Sequence, residues 1–120
     1  MKEELKFRFG EAVKLKDDGD LEAAKSILED LSDKDPRSAA IFAVLGDVCW
    51  SMKLLDDAVH AFRCAVALAP TLEAVSLGLF HCLWQLGKRE EALEETKRFM
   101  SVADSDDYRM IVREINEKCK

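Results

Sequence analysis

The sequence predicts an all-α stack of antiparallel helix pairs, three pairs and a closing helix, seven helices in all. Three observations carry this. First, Ala24, Ala58 and Ala92 stand 34 residues apart, each behind acidic or polar residues: Leu21-Glu22-Ala23-Ala24, Leu55-Asp56-Asp57-Ala58 and Arg89-Glu90-Glu91-Ala92. A fixed period of this length marks repeated supersecondary units. Second, apolar residues recur at three- and four-residue steps within each unit, as in Val44 and Val48, then Val59, Phe62 and Val66, the spacing of one helix face. Third, turn and stop signals fall at the same step. Gly19 and Gly87 align with Lys53 between them, and Pro36 and Pro70 close the first two units. Glycine supplies a left-handed C-cap and proline halts a helix. The chain should be about four-fifths helix without sheet, with turns near Gly19, Lys53 and Gly87.

The first unit, residues 5–38, keeps Ala12, Gly19, Ala24 and Pro36 but places Glu11 at an apolar column. The second, residues 39–72, is the most regular. Its Gly46, Ala58 and Ala65 let two helices approach, and Phe42, Leu45 and Phe62 fill the space beside them. The third, residues 73–106, keeps Gly87 and Ala92. It departs with Phe80 at the small column of Ala12 and Gly46, Thr96 at the large column of Leu28 and Phe62, and Asp104 in place of proline. Looser packing of that pair is the expectation. Residues 101–107 form a loop with several potential N-caps. Residues 107–119 read as an amphipathic capping helix, with Tyr108, Ile111, Val112, Ile115 and Cys119 on one face to cover the last pair, including Leu93 and Phe99.

With 120 residues the chain fits a single domain. At 48% apolar and 35% charged residues it holds both a core and a solvated surface, which excludes disorder. A net charge of −6 argues against nucleic-acid binding, which needs a basic stripe. Between Cys64 and Leu86 only Glu73 is charged, but Pro70, Thr71 and Glu73 cut the stretch into pieces too short for a bilayer. Met1-Lys2-Glu3-Glu4 leads into no apolar segment, so neither a signal peptide nor membrane insertion is expected, and the location read is cytoplasmic. Cys49, Cys64, Cys82 and Cys119 show no C-x-x-C pair or zinc spacing; four reduced thiols are the simplest use.

At the middle unit's positions Phe42, Leu45-Gly46, Ala58, Phe62, Ala65 and Pro70, the chain resembles the tetratricopeptide repeat (TPR) family. The resemblance implies a TPR solenoid, a right-handed superhelical stack whose first helices line a concave groove that binds polypeptide. By column, that surface holds Lys6, Phe9, Val13 and Lys16, then Ala40, Ala43, Asp47 and Trp50, then Ala74, Leu77, His81 and Trp84. Trp50 and Trp84 share a column and should lie one above the other, as ligand anchors or as packing between helices. The candidate groove set is Phe9, Val13, Ala43, Asp47, Trp50, Leu77, His81 and Trp84.

The family's two-carboxylate clamp, which grips acidic chaperone C-termini, is absent, because its columns hold Phe9, Val13, Val44 and Gly78, with Ala74 for a basic residue. Phe, Ala, Leu and Trp suit an apolar or amphipathic segment instead. This groove chemistry resembles that of bacterial secretion chaperones. The alternative is an inhibitor or immunity-type protein that covers a folded enzyme with its acidic outer faces.

The central unit carries only five formal charges, so self-association through it would also satisfy any apolar surface it exposes. No catalytic or cofactor motif is present. His81 beside Cys82, with Asp47 in a matching column, is read as a groove histidine rather than an acid–base or metal cluster. Glu90-Glu91 and Glu94-Glu95 with Lys97-Arg98 read as a solvated face.

Overall fold

Glycine and its stand-in set the spacing of the helices. The computed structural model describes residues 1–118, of which 81% are helical with no strand among them. α1 (Glu3–Asp17) pairs with α2 (Leu21–Lys34), α3 (Ala39–Ser51) with α4 (Leu55–Leu68), and α5 (Glu73–Gln85) with α6 (Arg89–Val102); α7 (Asp106–Lys118) follows. Cys119 lies outside the described residues.

The three turns within pairs are built alike. The amides of Gly19 and Asp20 donate to the carbonyls of Lys16 and Leu15, those of Lys53 and Leu54 to Trp50 and Cys49, and those of Gly87 and Lys88 to Trp84 and Leu83. Each is a Schellman closure, and it needs a left-handed residue. Gly19 and Gly87 take φ of 87° and 79°, and Lys53 is forced to 64°. The left-handed region costs a residue with a Cβ roughly 1–2 kcal/mol, part of which glycine's greater unfolded-state freedom offsets. Lys53→Gly should therefore raise stability by about 0.5–1 kcal/mol. A urea midpoint that stays put or falls would show that the lysine side chain contributes a contact of its own.

Phe62 organises the core. It is buried in α4, and a Cβ added to either Gly46 on α3 or Gly78 on α5 would stand 2.7 Å from its ring. One phenyl thus occupies the space left by two missing side chains and joins the second pair to the third. The third pair's departures compensate each other. Phe80 and Thr96, at the columns of Gly46 and Phe62, are both buried, so the large and small members have changed places. Ala12 and Leu28 are the first pair's version, also buried. The helices of the third pair do approach less closely than those of the second, as expected, while Phe80 and Thr96 keep the space between them filled, because combined volume governs packing density.

The capping helix departs further from expectation. Ser105 Oγ accepts from the Tyr108 amide at 3.0 Å, so Ser105 is the N-cap. The Tyr108 ring lies against Phe99 (centroids 5.6 Å apart) and edge-on to Phe80 (5.8 Å). Past this anchor, the α7 backbone stays farther from its neighbours than any other pair of successive helices. Phe99 is covered as expected, but Leu93 is not, and it remains 40% exposed.

The solvated face expected on α6 also needs correction, because Glu95 is only 7% exposed. The Ser76 hydroxyl donates to its Oε2 at 2.6 Å, leaving the Ser76 oxygen to accept from Tyr108 Oη at 2.7 Å. Arg98 closes the network with two bonds to Glu95, at 2.8 and 2.7 Å, and one to the Pro70 carbonyl at 3.0 Å. Ser76 on α5, Glu95 on α6 and Tyr108 on α7 converge at a node that no 34-residue column contains. The i,i+4 periodicity of surface charges cannot show it.

Cys49, Cys64 and Cys82 are free thiols. Burial pushes Cys49 and Cys82 up to about 11, so both stay protonated at neutral pH. In the central unit the larger exposed apolar side chains, Leu54, Leu68 and Leu72, sit at or beside helix ends. Its low charge therefore reflects burial in mid-stack.

Candidate functional site

The curvature follows from which helices approach one another. α1 approaches α3, and α3 approaches α5, more closely than the second helices of successive pairs approach each other. The first helices therefore form the inner surface. Phe9, Val13, Ala43, Trp50, Leu77, His81 and Trp84 are each partly exposed, and Asp47 is exposed.

The two tryptophans are not in ring contact with each other. Trp50 lies parallel to His81, with centroids 6.0 Å apart and an interplanar angle of 17°. Phe80 meets His81 edge-on at 5.3 Å and stacks on Trp84 at 5.6 Å. A row of four rings, Trp50, His81, Phe80 and Trp84, thus runs from α3 of the second unit along α5 of the third. His81 and the large Phe80 fill the space between the two indoles. Offset-stacked and edge-on contacts of this kind stabilise by about 0.5–1.5 kcal/mol each beyond area burial, so the row is stiff.

Its polar edge is satisfied. Trp50 Nε1 donates to Gln85 Oε1 at 3.1 Å, and the Arg89 guanidinium lies over the Trp84 ring at 5.0 Å, within cation–π range. Loss of hydration lowers the His81 pKa from its ordinary value, so its ring is neutral at pH 7. The same cause raises that of Asp47, while Lys16 opposes the rise.

Beyond the row, the stand-off of α7 opens a cleft of about 610 Å³ lined by Phe80, His81, Trp84, Leu93, Ile111 and Ile115, with charged side chains at its rim. The sequence reading missed this cleft, as well as Gln85 and Arg89. The amphipathic stripe of α7 gave no sign that the helix would stand away from the surface it matches. Among the described residues, no group of three or more His, Cys, Asp or Glu is placed to hold a metal ion, and no helix is long and apolar enough to cross a membrane.

No protein-family model matches this sequence, and no curated protein matches it. Solved structures do. The CopN–Scc3 complex matches with a TM-score of 0.83 at 17% identity, over 100% of this chain and 71% of that one. The first TPR of Spaghetti (RPAP3) bound to an HSP90 peptide matches at 0.82 and 17%, over 96% and 92%. The Yersinia enterocolitica type III secretion chaperone SycD, in complex with a peptide of the translocator YopD, matches at 0.80 and 18%, over 98% and 90%. The fold is that of a TPR solenoid, a right-handed superhelical stack of helix pairs.

Proposed function

We propose that this chain is a non-catalytic interaction module or small chaperone that takes an apolar or amphipathic polypeptide segment along its concave face. The observation that carries the reading is the ring row in which partly exposed Trp50, His81 and Trp84 are backed by buried Phe80, opening into the cleft beneath α7. Rings held stiffly by each other give up little freedom when a ligand covers them, and their exposed apolar area returns free energy on burial. The His81 imidazole and the Asp47 carboxyl supply a few polar contacts to set direction along an otherwise apolar strip. Among the structural neighbours, SycD holds a peptide of YopD and RPAP3 a peptide of HSP90, which supports polypeptide as the ligand class. The missing carboxylate clamp turns the expected sequence away from acidic C-termini.

The test is selection of displayed random peptides on this chain, followed by measurement on Trp50→Ala, Trp84→Ala and the double variant. Truncating a hot spot costs at least about 2 kcal/mol, roughly 30-fold in Kd. That loss should appear at both tryptophans for segments rich in large apolar residues, and it should change little with salt. Equal affinity for wild type and the double variant would remove the tryptophans from the site. Selection of basic ligands whose binding collapses with salt would favour the inhibitor-type reading on the acidic outer faces.

A further inference from the structure

Among the described residues nothing packs on the outer face of α1 around Phe7 and Gly10. Phe7 shares a column with Ile41 and Val75, which are 0% and 2% exposed in the units that have a pair before them; Phe7 is 74% exposed. Gly10 is exposed in mid-helix, and a Cβ placed on it would meet nothing within 4 Å. A glycine there lowers helix stability by roughly 0.8–1 kcal/mol against alanine, and no internal contact requires it. Glu3 and Lys14 are also exposed, and neither forms an ion pair among the described residues.

Glu3, Phe7, Gly10 and Lys14 follow one another at steps of four, three and four. Such residues share one stripe of a helix, and at 100° per residue this stripe lies on the far side of α1 from buried Ala12. The stripe is its own complement. When a second α1 is laid antiparallel across a two-fold axis, Phe7 of each copy falls over Gly10 of the other, and Glu3 of each falls opposite Lys14 of the other. The ring enters the space the glycine leaves open, and opposite charges close both ends.

We infer that the occupant of this face is a second copy of the chain, joined through an antiparallel α1–α1 seam of Glu3, Phe7, Gly10 and Lys14. The seam lies on the opposite side of α1 from the core, so pairing leaves the concave ring row free. One helix pair of this length covers less than the roughly 1,200 Å² of a standard interface, so the association is weak and concentration-dependent. On one edge Glu4 falls near Glu11 of the other copy, a repulsion that long exposed side chains relieve by turning to solvent.

Sedimentation equilibrium on the 120-residue chain across the micromolar range tests this. Wild type should be a monomer–dimer mixture, and Phe7→Ser should be monomeric with unchanged melting. Glu3→Lys and Lys14→Glu should each weaken pairing about tenfold, since each makes two like-charge contacts. Mixed in equal amounts, the two charge variants should pair with each other as well as wild type does, because both contacts become opposite in sign again. A wild type that stays monomeric overturns the proposal. So does a dimer unmoved by Phe7→Ser, or a mixture that fails to recover.

Discussion

Gly46→Ala is expected to lower stability by about 2–3 kcal/mol, although alanine is the better helix former by about 1 kcal/mol. The new methyl would stand 2.7 Å from the Phe62 ring. A side chain at the surface would swing aside, but Phe62 is 1% exposed and meets Gly78 on its other flank at the same distance. It has nowhere to move, so the strain passes to the packing of α3 on α4 and of α4 on α5. Gly78→Ala should cost a similar amount for the mirror-image reason. Two controls accompany the measurement. Gly10→Ala, in open space on an exposed helix face, should stabilise by up to about 1 kcal/mol. In a Phe62→Leu background, Gly46→Ala should cost little or become favourable, because the atoms it strikes are gone. Urea denaturation of the set decides it. A Gly46→Ala variant more stable than wild type would mean that the ring is not held between the two glycines.

Tyr108→Ala should cost about 3–5 kcal/mol, the range for a large aromatic lost from a core. That is a sizeable part of the roughly 5–15 kcal/mol of a typical domain. The consequence should be detachment of the whole of α7, because beyond Tyr108 its apolar side chains Ile111, Val112 and Ile115 are only partly covered. Tyr108→Phe keeps the ring and removes the hydroxyl, leaving Ser76 without its donor, and should cost about 1–2 kcal/mol.

Tyr108 is the chain's only tyrosine, so phenolate absorbance reads it alone. Burial pushes its hydroxyl up to about 12, a rise that the bond to Ser76 partly opposes. The sign follows from the raised value. The group's contribution is complete below the unfolded value near 10 and is lost as pH rises toward about 12. Phenolate should therefore appear together with loss of helix. Ionisation near pH 10 in a fully folded protein would place Tyr108 in water and undo its role as anchor.

The sequence made the repeat legible because its signals are local. Ala24, Ala58 and Ala92 fix the period, Gly19 and Gly87 reveal the turn that Lys53 must also adopt, and each helix carries its own periodicity. What stayed hidden depends on side chains from different units meeting. Nothing in the spacing of Ser76, Glu95 and Tyr108 says that they converge, and Glu95 looks like every other acid on its helix. Phe80 and Thr96 each read as a defect until they are considered together. For the candidate groove, columns were enough to name the inner residues. The order of the rings was not accessible, since His81 and Phe80 come between the indoles only through rotamers and the curvature of the stack. The cleft depends on how far α7 stands off, and an amphipathic stripe records which face turns inward without recording the distance.

The uneven burial of the helices has a consequence for how the molecule opens. α1 fully buries only Ala12, whereas α3 and α5 bury five and seven residues. In a linear array each unit is held by its own stability and by its neighbours' interfaces, and here those terms rise from the first pair to the seam that Phe62 makes between the second and third. Opening fluctuations are then ordered in space. α1 at one end and α7 beyond Tyr108 at the other fray first, α2 next, and the amides around Phe62 exchange only when the whole array comes apart. The half of the inner surface bearing Phe9 and Val13 belongs to a fraying end, and the ring row, on α3 and α5, belongs to the rigid middle. A ligand lying along both would find one end fixed in shape and the other free to close over it.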